Sequence, residues 1–264
     1  MIKSNRLLAL LFAAGTACLA LPQLGLAQDY PNKSIKLIIP YPPGGGTDYV
    51  GRVVGTKVAE LTKWTVILEN RPGAGGNLAA EAVAKSAPDG YTLLLAQTDS
   101  VMVSPWLNPS VGYDTLKSFT PVVHLTITPG AIVSATNSTI RTPADMIAKG
   151  KTTEGLRWAT AGAGTFGDLL GEQYKKAVNI NLVNTAYKGA APALTDVMGG
   201  HVDVALLSLG SVLPQVKTGK LHAVAVTTAT RATLLPDTPT LAESGATGMD
   251  GSIWVGIFAP AGTP

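Results

Sequence analysis

Ile35-Lys36-Leu37-Ile38-Ile39-Pro40-Tyr41-Pro42-Pro43-Gly44-Gly45-Gly46-Thr47-Asp48 sets an apolar run, a glycine-rich loop and a helix start in a row. Ile35–Ile39, broken only by Lys36, reads as a largely buried strand. From Tyr49 to Leu61, Val50, Val53, Val54, Val58 and Leu61 fall near one helical face. Three glycines let the backbone turn tightly and approach a ligand closely. Thr47 or Asp48 is placed to cap the helix. The bare amides of a helix N-terminus, aided by the helix dipole, form an anion site. The same residues also make an ordinary capped strand-to-helix turn. From this loop alone both readings stay open.

The first residues read as a leader. Lys3 and Arg6 precede the apolar run Leu7–Ala20, which is short for a bilayer span, and Gly25-Leu26-Ala27 supplies small residues at a cleavage site. Residues 1–27 are therefore expected to be a cleaved secretory signal, with the mature chain starting at Gln28. Cys18, the single cysteine, leaves with it; Gly15 stands where a lipoprotein signal wants an aliphatic residue. A mature chain without cysteine has no disulfide and no thiolate metal site, as expected of a bacterial periplasmic protein large enough to need no staples. The leader takes two of the 20 basic residues and none of the 17 acidic ones, so the net charge falls to +1. That balance argues against a nucleic-acid partner, which needs a clustered basic stripe.

Downstream, strands and helices alternate. Thr65–Leu68 and Thr92–Ala96 read as strands, and Leu78–Lys85 as a helix with an alanine-rich face. Each strand runs into a glycine-rich or polar loop: Tyr41–Asp48, Asn70–Asn77 and Gln97-Thr98-Asp99-Ser100. In open α/β sheets ligands bind beyond the carboxyl ends of the strands, so these loops should gather on one edge. Val122–Leu125 and Ala131–Val133 are expected as two strands leading to a second lobe. That lobe repeats the scheme: strand Arg157–Ala161, loop Gly162–Asp168, helix Leu169–Ala177, strand Leu182–Ala186, loop Tyr187–Pro192, strand Val202–Leu207, strand Leu221–Thr227. Thr142-Pro143 marks a capped helix start. Gly251–Ala259 is a last strand, with Trp254 either core or a lid. Thr263-Pro264 reads as another helix start, so a further helix is expected past Pro264.

The chemistry-bearing motifs are incomplete. Gly162-x-Gly164-x-x-Gly167 fits a dinucleotide fingerprint between strand and helix, but Thr185, Ala186 and Tyr187 stand where the ribose-binding acid belongs. Ser208-Leu209-Gly210 is half of a nucleophile elbow without its first glycine. His124, His201 and His222 lack metal-pair spacing, and Asp203 is placed to cap or pair locally. A hydrolase through Ser208 and a nucleotide-using enzyme through Gly162–Gly167 are the rival readings. No cofactor, metal or catalytic set is called for.

The ordered stretches Ile38–Asp48, Glu69–Asn77, Asp89–Leu94, Tyr187–Asp196, Gly199–Asp203 and Trp254–Pro264 resemble the Bug-type receptors, the periplasmic solute-binding proteins of tripartite tricarboxylate transport. The resemblance runs over nearly all of 28–264. It implies an α/β fold of two lobes that close like a flytrap, each a mixed, mostly parallel sheet flanked by helices. Residues 28–126, with 255–264 returning, would form lobe 1 and 127–254 lobe 2. It implies a small carboxylate ligand, gripped at Tyr41–Asp48 through backbone amides and bridging water. Gly164–Asp168 and Tyr187–Ala191 would form the other wall. It also implies a helix after Pro264 that packs back on the first lobe. The chain departs at three places: the family often has His where Asp168 stands, Ser or Thr where Ala190 stands, and Asp where Ser208 stands. Asp168 would repel an anion unless protonated, turned away or paired.

The expected function is that of a non-enzymatic periplasmic receptor that hands a small organic acid to the membrane permease subunits of a tripartite transporter, or presents it to a sensor kinase. The expected ligand residues are Tyr41, Gly45, Gly46, Thr47 and Asp48, with Thr98 and Asp99, on one wall. Thr165, Phe166, Asp168, Tyr187, Ala190 and Ser208 face them.

Overall fold

The computed structural model describes residues 30–264, so the leader read over 1–27 lies outside the described residues. The elements in order are β1 (Ile35–Ile39), α1 (Gly46–Thr62), β2 (Val66–Asn70), α2 (Asn77–Ala84), β3 (Thr92–Gln97), β4 (Phe119–Ala135), α3 (Pro143–Gly150), β5 (Leu156–Thr160) and α4 (Phe166–Ala177). There follow β6 (Leu182–Ala186), α5 (Ala190–Met198), β7 (Val204–Ser208), α6 (Leu209–Lys217), β8 (Leu221–Val226) and β9 (Ser252–Pro260).

β1 is apolar because both its faces are covered. Ile38 clusters with Leu94, Ala79 and Val83, while Leu37 and Ile39 cluster with Leu95, Val255 and Ile257. Its hydrogen-bonded neighbours, β2 and β3, run parallel to it. Ala79 and Ala80 on α2 are fully buried, as the alanine-rich face required. In the second lobe Trp158 of β5 stacks on Tyr174 of α4, with ring centroids 6.0 Å apart. The indole Nε1 donates to the Gly167 carbonyl at 3.2 Å.

The strand order is β2-β1-β3-β9-β4-β7-β5-β6, with β8 also on β4. The outer pairs are parallel, and β4, β8 and β9 run antiparallel through the middle. β4 corrects the expectation of two strands at Val122–Leu125 and Ala131–Val133: it is one strand of 17 residues. Pro121 and Pro129 signal breaks in the sequence. Over Phe119–Pro129, however, β9 is the partner among the described pairings. A proline facing an open edge forfeits no ladder bond, and register shifts after Pro121 and His124 absorb the rest. From Gly130 the strand takes β7 and β8 instead, so one strand serves both lobes.

Two helix starts are instructive. Thr142 caps α3 as expected, and Asp145 returns the bond to the Thr142 N–H at 2.8 Å. At α1 the expectation of a Thr47 or Asp48 cap and a start at Tyr49 is corrected. The helix begins at Gly46, Gly45 occupies the N-cap, and Thr47 and Asp48 lie in the first turn. Asp48 instead reaches back to the Gly44 N–H at 2.9 Å.

Candidate functional site

The loops after β1 and β5 have the same construction. Gly44 and Gly164 hold φ +87° and +70°, a region costly for any residue with a side chain. Gly45 and Thr165 then take the N-cap at φ/ψ of −83°/168° and −81°/166°. Three residues further on, Asp48 and Asp168 accept the N–H of Gly44 and Gly164, at 2.9 and 2.7 Å. Each carboxylate also accepts an amide from the neighbouring strand, Asn70 for Asp48 and Asn184 for Asp168. Arg52 adds two bonds to Asp48. Burial pushes the Asp48 carboxyl up, but the bonds from Arg52, Gly44 and Asn70 outweigh it and hold the group below its usual range.

β3 delivers Gln97 and then a wide helical turn of π type at Asp99–Val103. Asp99 is 2% exposed. Its Oδ1 accepts the Phe166 N–H at 2.7 Å, from the N-terminus of α4 in the opposite lobe. Its Oδ2 accepts Gln97 Nε2 at 2.7 Å and the Tyr41 hydroxyl at 3.3 Å. Burial is the largest influence on this carboxyl and, despite those bonds, raises it to about 6. Burial and the neighbouring Asp99 push the Tyr41 phenol well above its ordinary value. A second link crosses the cleft: the Gly46 N–H donates to Ser211 Oγ at 2.7 Å, and Ser211 pairs with Ser208 at 2.7 Å.

Between these groups lies a cavity of about 490 Å³, its open mouth included. Of the expected residues, Tyr41, Gly45, Gly46, Thr47, Asp99, Thr165, Phe166, Ala190 and Ser208 line it. Four do not. Asp48 and Asp168 face their own loops, as just described. Thr98 accepts the Trp254 N–H at 3.0 Å. Tyr187 lines an adjoining cavity with Gly189, and its hydroxyl donates to Asp196 at 2.5 Å. Trp254 is neither fully buried nor at the cleft; it packs against the first-lobe core beside Phe258, and Ile253 reaches the cavity instead.

Gln97, Ser211, Ile253, Leu206 and Leu207 are lining residues that the sequence reading leaves out. Two signals point to some of them. Alternation through the end of β3 puts Gln97 and Asp99 on one side and Thr98 on the other. Ser211 lies one helical turn from Ser208. Ile253, Leu206 and Leu207 read only as strand core.

Among the described residues, the lining holds no lysine, arginine or histidine. Its positive field comes from backbone: the N-termini of α1, α4, α5 and α6 all reach it, through Gly45, Thr165, Ala190 and Ser208. Such ends favour an anion. The fingerprint glycines Gly162–Gly167 serve this same turn, whose Gly164 N–H is taken by Asp168. Ser208 meets a hydroxyl, and His222 bonds the Arg141 carbonyl at 2.7 Å.

Residues 50–264 match the family described as "Tripartite tricarboxylate transporter family receptor". The chain belongs to this receptor family. It is 35% identical to Protein BugT of Bordetella pertussis over 90% of this chain and 73% of that one. In three dimensions it resembles a Rhodopseudomonas palustris protein solved with adipate (TM-score 0.85, 30% identity, 89% of this chain and 79% of that one). It also resembles MatC of Rhodopseudomonas palustris with bound malate (TM-score 0.81, 29% identity, 89% and 80%). The two-lobed α/β fold is also that of the periplasmic binding protein BugD (TM-score 0.81, 32% identity, 89% of this chain and 79% of that one).

Proposed function

We propose that the chain is a periplasmic receptor that closes its lobes on a small organic carboxylate and presents it to the permease subunits of a tripartite transporter. One observation carries the reading: four helix N-termini converge on a single cavity that, among the described residues, has no cationic side chain. The carboxylate is held from the first wall by the Gly45 and Thr47 amides, the Gly46 amide being given to Ser211 and the Thr47 hydroxyl to Gln97, and from the second by Ser208 and Ser211. Phe166, Leu206 and Ile253 enclose the rest of the ligand. Carboxylates in the neighbouring structures support the assignment. The site has no catalytic role in this reading, because Ser208 is bonded to Ser211 instead of a base.

A thermal-shift screen of the mature protein against organic acids tests it. An acid at 100 times its Kd should stabilise the fold by about 2.7 kcal/mol. A panel in which no carboxylate stabilises the protein, or in which the hit is consumed, overturns the proposal.

A further inference from the structure

Asp99 already occupies the position at the N-terminus of α4 that an anionic ligand group would take. Its Oδ1 lies 2.7 Å from the Phe166 amide, and its other oxygen is held by Gln97 and Tyr41. It is buried, it lines the cavity, and among the described residues no ion pair involves it. A carboxylate offers about four acceptor positions, and these three donors leave one unused. The charge balance is equally limiting. Four helix ends contribute about half a charge each, about +2 in all. Asp99 sets one full negative charge against these, and Asp48 and Asp168 stand in the first turns of α1 and α4, so the backbone field accommodates at most one ligand carboxylate. A second ligand carboxylate would sit in a closed cleft with Asp99 and no cation among the lining side chains.

We propose that Asp99 is the specificity-determining residue of the cleft, selecting monocarboxylates that carry an ammonium group over dicarboxylates of matched length. This rests on the carboxylate-receptor reading and narrows its ligand class. The ligand carboxylate lies toward Gly46, Thr47 and Ser211. Its ammonium turns to the free acceptor position of Asp99 and supplies the cation that the lining lacks. Asp168, which looked from the sequence like the repelling acid, is paired within its own loop and takes no part.

The test is calorimetric titration of the mature protein at pH 7.5 with matched pairs: 4-aminobutyrate against succinate, 5-aminopentanoate against glutarate, 6-aminohexanoate against adipate, and L-valine against isopropylmalonate. In at least one pair the ammonium-bearing acid should bind about tenfold or more tighter, a difference of about 1.4 kcal/mol. Asp99→Asn, which keeps the shape and removes the charge, should reduce that preference by a similar factor. Asp99→Ser serves as a second variant if the asparagine form does not fold. Dicarboxylates binding as tightly as their partners, or a preference unchanged in the variants, overturns the role of Asp99 and leaves the receptor reading standing. If no acid of either kind binds, the role of Asp99 falls, and the thermal-shift panel decides the receptor reading.

Discussion

Asp48 and Asp99 are both buried aspartates of the first lobe, and their surroundings drive them in opposite directions. Asp48 has a guanidinium and two amides on it and stays ionised. Asp99 has only neutral donors, and burial lifts it to about 6 from an ordinary 3.8. A raised carboxyl means that the folded chain keeps a proton which the unfolded chain has lost. Stability from this residue therefore falls as pH rises from about 4 to about 6 and stays low above that. The full penalty is about 3 kcal/mol near pH 7, with about half of it remaining at pH 5. Asp99→Asn removes the titration. Its stability relative to wild type, from urea denaturation of the ligand-free protein, should be greatest at pH 7 and shrink toward pH 4. A pH-independent gap would mean that Asp99 is ionised at no such cost.

α1 and α6 meet closely across the cleft. A side chain at Gly46 would place its Cβ 2.6 Å from Ser208 Oγ and 3.0 Å from Ser211 Oγ. Gly46 already has a helical position, so Gly46→Ala is tolerated by α1 itself and obstructs only the approach of the two helices. The expected result is a ligand affinity lower by about tenfold or more, about 1.4 kcal/mol, with little change in ligand-free melting temperature. Undiminished affinity by calorimetry would show that the two helices do not need this contact. The N-terminus of α1 was legible from turn chemistry to within three residues. The role of Asp48 was not: an aspartate at the start of a helix reads as a cap or a ligand, and only the positions of Gly44 and Asn70 show that it holds the loop.

In the molecule as a whole, β4 and β9 join the two lobes, and two polar links cross the cleft: Asp99 to the Phe166 amide and Gly46 to Ser211. Hydrogen bonds of this kind contribute about 0.5–3 kcal/mol each, enough to shift a balance between open and closed forms. In the doubly substituted Asp99→Ala, Ser211→Ala protein, spin labels at the exposed Lys57 and Lys176 should lie farther apart without ligand than in the parent. A distance distribution identical to the parent's would place the control of closure elsewhere, in the sheet strands.

The succession of strands and glycine loops, the two α/β lobes and the gathering of loops at one sheet edge were determined by the sequence itself. Hydrophobic runs, alanine faces and turn residues act locally, and each carries its own signal. The family likeness lay in the same loops. Tertiary structure alone decided that Pro121 and Pro129 sit inside one long strand, because an open sheet edge cannot be seen from the chain. It decided that Asp168 is paired and that Asp99 is bonded to the opposite lobe, because both outcomes depend on partners far off in sequence: Asn184 lies 16 residues away and Phe166 lies 67 away. A carboxylate's part in binding follows from which donors surround it, and only the folded chain brings those donors together.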